Sequence, residues 1–77
     1  MQTLSSLREG DIGRVASFSK GVTKYRSKLL SMGVTPGTEF SVVRFAPLGD
    51  PIELEIRGYR LSLRKAESDV VMVEVAQ

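Results

Sequence analysis

The chain has 77 residues, a formal net charge of +2, 42% apolar residues and 26% charged ones. That balance belongs to one small folded domain spanning residues 1–77 and excludes a disordered chain. Cysteine and histidine are both absent, which excludes disulfides, thiolate and imidazole metal ligands, cysteine nucleophiles and the commonest general base.

The oxygens of nine carboxylates are the metal donors left. The longest apolar run, Val70-Val71-Met72-Val73, falls far short of the roughly 20 residues that a membrane span needs. Met1-Gln2-Thr3-Leu4 carries neither the basic nor the apolar region of a secretory signal. The expectation is a cytoplasmic binding or regulatory module with no direct membrane insertion, and not an enzyme.

Leu4-Ser5-Ser6-Leu7 followed by Arg8-Glu9-Gly10-Asp11 reads as a lead-in turn with two apolar anchors. Residues 12–18 read as a first strand, which Gly13 weakens or bulges. A short helix is predicted over about residues 23–32, with Thr23 as N-cap. Val22, Tyr25, Leu29 and Met32 fall at helical spacing on one face, and Leu30 widens that stripe. Gly33 suits the left-handed conformation that ends a helix, and Pro36-Gly37 suits a type II turn.

Glu39 to Phe45 reads as a second strand. Val43 and Phe45 break its alternation, as a bulge or a strand apolar on both faces would. Ala46-Pro47-Leu48-Gly49-Asp50-Pro51 is a loop. Ile52-Glu53-Leu54-Glu55-Ile56 and Arg60-Leu61-Ser62-Leu63-Arg64 alternate cleanly. A type II′ turn at Gly58-Tyr59 would pair Ile56 with Leu61, Leu54 with Leu63, Glu55 with Ser62 and Glu53 with Arg64. Ala66 to Asp69 reads as a single turn and Val70 to Val75 as a last strand. About five short strands with one short inserted helix predict a mainly β fold, a small SH3-like antiparallel barrel.

Charge is uneven. Arg14 to Arg44 holds six basic residues against one acid, Glu39, a net of +5 that leaves −3 for the rest. A basic middle suits an acidic protein surface, nucleic acid or anionic lipid headgroups, but a cluster this mild reads first as an ordinary solvated helix face. A dedicated nucleic-acid module more often interleaves aromatics on a sheet face. The five here (Phe18, Tyr25, Phe40, Phe45, Tyr59) mostly sit where a core needs them. A nucleic-acid-binding small barrel is therefore the alternative reading.

The segment Tyr25 to Thr38 resembles the FeoA family, ferrous iron transport protein A. So do Val43 to Ile52, Arg57-Gly58 with Leu61-Ser62-Leu63-Arg64-Lys65, and the start at Leu4, Leu7, Gly10 and Gly13. The resemblance runs from about residue 4 to 75. It implies a free-standing SH3-like domain and a cytoplasmic accessory that binds and regulates or assembles FeoB. FeoB is a membrane ferrous-iron transporter with a cytoplasmic GTP-binding domain. It implies no enzyme and no iron carried by the chain itself.

Two partner-binding regions follow. On the helix, Tyr25 and Leu29 read first as core, while Arg26, Leu29 and Leu30 form a mixed apolar and cationic edge. In the loop, prolines pre-set the backbone around Pro47 and Leu48, and Leu48 either reaches solvent or tucks under the barrel. Glu53 and Glu55 share one strand face, but two ligands hold a cation weakly and Arg64 is the expected partner. No catalytic residue, metal site or cofactor is assigned. A homo-oligomer is also open, through an edge left by the irregularity at Gly13.

Overall fold

The computed structural model describes residues 1–19 and 24–76. In chain order its elements are β1 (Gln2–Thr3), a 3-10 turn (Leu4–Ser6), β2 (Ile12–Phe18), α1 (Arg26–Ser31) and β3 (Glu39–Phe45). β4 (Ile52–Ile56), β5 (Tyr59–Leu63), α2 (Lys65–Ser68) and β6 (Val71–Val75) follow. All the strands pair antiparallel in one sheet, ordered β1-β6-β2-β3-β4-β5.

Six strands stand where about five were expected, because the two residues of β1 add to β6 ahead of the lead-in turn. Leu4 and Leu7 anchor that turn in the core as predicted. Buried residues alternate along β4 and β6, so one sheet face holds Ile52, Leu54, Ile56, Val71 and Val73. Leu29 and Val34 close over that face at zero exposure.

α1 is shorter than the predicted span. Its cap position is Tyr25, whose side chain makes no capping hydrogen bond. The predicted cap Thr23, like Val22, lies outside the described residues. A helix of six residues gains little from its own hydrogen bonds and depends on packing, here of Leu29. Gly33 (φ +93°) ends it, and Gly37 (φ +90°) closes the turn from Thr35 to Thr38, both as expected.

Gly13 is neither a bulge nor at a sheet edge. It lies in β2, in register between Phe40 and Val75, and the irregularity falls between Val15 and Ser17. A Cβ at residue 13 would stand 2.6 Å from the Glu74 carbonyl oxygen and 3.0 Å from the Phe40 ring, so glycine serves close approach. The bulge expected in the second strand is present in β3, between Val42 and Arg44.

The hairpin pairs in a different register. Ile52 faces Leu63, Leu54 faces Leu61, Glu55 faces Arg60 and Ile56 faces Tyr59. The turn residues are therefore Arg57 (φ +50°) and Gly58 (φ +84°), a type I′ arrangement and not type II′. The slip of two preserves every residue's face. It also gives three apolar cross-strand pairs where the predicted register gives two. Glu53 consequently pairs with Arg44 of β3 (2.7 Å), not with Arg64.

Candidate functional site

The helix candidates separate once placed. Leu29 is fully buried, which corrects its assignment as a contact residue: it is the core anchor that holds α1 down. Tyr25 is half-buried against the same core, with the Lys24 ammonium 5.4 Å from its ring centroid. Arg26 is exposed and lays its guanidinium 5.9 Å from the centroid of Phe18. Leu30 is 37% exposed and is the apolar member of this edge.

Pro47 and Leu48 are exposed, and Leu48 stands 94% open to solvent. Of the two alternatives in the sequence, exposure is the one realised. The loop is braced from within by Ala46 N–H to Pro51 O (3.0 Å) and Gly49 N–H to Ala46 O (2.7 Å). Its far end is held by the Asp50 carboxylate, which accepts from Lys65 N–H at 3.0 Å. A large apolar side chain on a braced tip has the composition of an interface anchor.

Both candidate regions are moored to one corner that sequence reasoning missed, the turn from Arg64 to Asp69. Glu67, 3% exposed, accepts from Arg64 N–H (2.8 Å) and is ion-paired with Lys28 of α1. Asp69 accepts from the Ser5 hydroxyl and from the Lys65 ammonium (3.3 Å). The available signal was a glutamate three residues after Arg64, the third position of a helical turn, where a carboxylate reaches back to the cap N–H. Its second partner, 39 positions away on α1, leaves no local trace.

Burial pushes the Glu67 carboxyl up. The Lys28 ammonium and the Arg64 N–H outweigh it and hold the group below the usual carboxylate range. Asp69 is also lowered, chiefly by the Ser5 hydroxyl, with burial opposing and Lys65 helping. These carboxylates are structural tethers and offer no proton at neutral pH.

Among the described residues no group of three or more aspartates or glutamates gathers to hold a metal ion. An open cavity of about 210 Å³ between β2 and the end of β6 is bordered by Gly13, Glu39 and Glu74, and the Arg14–Glu39 ion pair (3.2 Å) sits at it. It lies apart from both candidate regions. The aromatics form no stacking platform: Phe40 is buried, and Phe18, Tyr25 and Phe45 pack on the core. Tyr59, 43% exposed, donates to Met32 O at 2.6 Å. No described helix is long and apolar enough to cross a membrane.

Residues 2–75 match the FeoA domain family. Over 72 residues the chain is 35% identical to a protein of Porphyromonas gingivalis described as a Fe(2+) transport protein A/Fe(2+) transporter FeoB fusion protein. That alignment covers 94% of this chain and 8% of the relative, so the chain spans a small part of the relative's length. Among solved structures, a FeoA-like protein from Clostridium acetobutylicum matches with a TM-score of 0.90 at 38% identity, over 99% of this chain and 87% of that one. The FeoA of Stenotrophomonas maltophilia, complexed with zinc and described as a procaryotic SH3 domain protein, matches with a TM-score of 0.80 at 26% identity, over 96% and 91%. With the strand pattern, the helix insertion and the match over almost every residue in agreement, the chain belongs to the FeoA family, an SH3-like fold of ferrous iron transport.

Proposed function

We infer that the chain is a non-catalytic docking module of ferrous iron uptake that binds a FeoB-type transporter on its cytoplasmic side. The observation that carries this reading is the relative in which a transport protein A and a FeoB transporter form one polypeptide. Two activities joined in one chain act at one place, and a separate module meets the same need by binding. The GTP-binding domain is the partner surface that the family resemblance implies.

The braced loop supports this reading. Leu48 at its tip and Leu30 with Arg26 on α1 supply apolar anchors with a cationic rim. Because the loop is hydrogen-bonded internally and tied to Lys65, little ordering accompanies docking. Binding alters transport only if the module favours one transporter conformation over another, and the shift equals that difference in affinity.

Titration of the chain into full-length FeoB-type transporter in nanodiscs tests this. Saturable binding is expected, weakened about tenfold or more by Leu48→Asp, with circular dichroism of the variant unchanged. Absence of binding to the intact transporter overturns the reading.

A further inference from the structure

β5 is the last strand of the sheet and is bonded on one side only, to β4. Ile56 and Tyr59 flank the two-residue turn, and hydrogen-bonded pairs recur at every second residue from there. Tyr59, Leu61 and Leu63 thus direct their backbone groups to β4, and Arg60 and Ser62 direct theirs outward. Among the described residues no backbone group outside the β4 ladder bonds to Arg60 or Ser62.

The same edge is cationic. Arg57, Arg60 and Arg64 are exposed. The ion pairs among the described residues engage Arg14, Lys28, Arg44 and Lys65, and leave these three guanidiniums without a carboxylate within pairing distance. Glu55, opposite Arg60 in the ladder, is the nearest acid in register and makes no such pair. On the other face of β5, Tyr59 is 43% exposed and Leu61 half-buried, so the edge is apolar on one side and basic on the other.

We propose that β5 is a strand-addition site for an extended segment of a partner protein in which acidic and apolar residues alternate. The segment bonds to the backbone of Arg60 and Ser62, sets its carboxylates against Arg60 and Arg64, and lays its apolar side chains toward Tyr59 and Leu61. β4 already shows this chemistry on the other side of β5: Ile52-Glu53-Leu54-Glu55-Ile56 alternates in the same way and is the strand that β5 accepts. A second copy of the chain is the wrong occupant, because β5 against β5 would align six guanidiniums along one seam. The opposite edge, β1, has only two residues and offers no comparable ladder. The site uses none of the residues offered for transporter docking, so it stands or falls independently of the transporter reading.

The probe is a blocked heptapeptide of alternating glutamate and apolar residues, with a lysine-for-glutamate peptide as control, titrated into the 15N-labelled chain. Expected are shifts centred on the Arg60 and Ser62 amides, slowed exchange of both N–H groups, and binding that weakens as salt rises. Ser62→Pro removes an outward donor at an edge position that tolerates proline and should abolish binding with the fold retained. Arg60→Glu, which leaves the backbone intact, should weaken binding about tenfold. Equal binding of the lysine peptide, shifts centred on α1 or the 46–51 loop, absence of binding at low salt, or a concentration-dependent dimer of the free chain would each overturn the proposal.

Discussion

The corner built on α2 and the edge formed by β5 adjoin in sequence and treat charge in opposite ways. At the corner Glu67 meets Lys28 and Arg64 N–H, Asp69 meets Ser5 and Lys65, and Asp50 meets Lys65 N–H. A few residues earlier, Arg57, Arg60 and Arg64 have no ion-pair partner among the described residues. The core alone is thin for a chain of this length, so polar ties between α1, the 46–51 loop and the first turn complete the tertiary structure. Charges left out of that work are free to face another molecule.

The comparison breaks most visibly at Glu67. Glu67→Ala leaves the Arg64 N–H unbonded and empties a buried site, and should cost about 2 kcal/mol by chemical denaturation. A cost below about 0.5 kcal/mol would place the corner among ordinary surface features. Acid sharpens the same point with a smaller effect. Glu67 and Asp69 both titrate lower folded than unfolded, so their stabilisation is complete above about pH 5 and is lost as pH falls below the ordinary carboxylate range near 4. Melting temperature should therefore drop through that window in the natural chain and drop less in Glu67→Gln. The smallest expected effect is at the other region: Arg60→Gln should change stability by less than about 0.5 kcal/mol, because among the described residues that guanidinium makes no ion pair.

Local chemistry carries its own signature, and distant pairing does not. The ends of β2 and β3, the helix stop at Gly33, the turn at Gly37 and the bulge near Val43 were all legible, since each depends on neighbours in sequence. The register of β4 with β5 was not. Alternation with period two fixes which face a residue takes, and a slip of two residues leaves that pattern unchanged. The choice fell to an extra apolar pair and to Arg57 adopting a positive φ. Gly13 was legible as unusual and misread in kind, because its constraint comes from the Glu74 backbone and the Phe40 ring, each remote in the chain. Of the candidate contact residues, Leu48 was left open between solvent and core by its place among turn formers, and the fold turns it outward. The burial of Leu29 beside exposed Leu30 agrees with the helical stripe, on which Leu29 lies and Leu30 stands at the edge, whereas the Lys28–Glu67 tie that holds α1 at that roll left no sign in the sequence.

One pairing bears on how such a unit is built into larger proteins. β1 lies against β6, with Gln2 opposite Val73 and Thr3 opposite Met72. Tethers attached ahead of residue 2 or after residue 75 would thus emerge from adjoining strands, about 5 Å apart in the plane of the sheet. Grafting onto a longer polypeptide from either direction leaves the hydrogen-bond ladder whole, and the unit can hang from its host by one hinge.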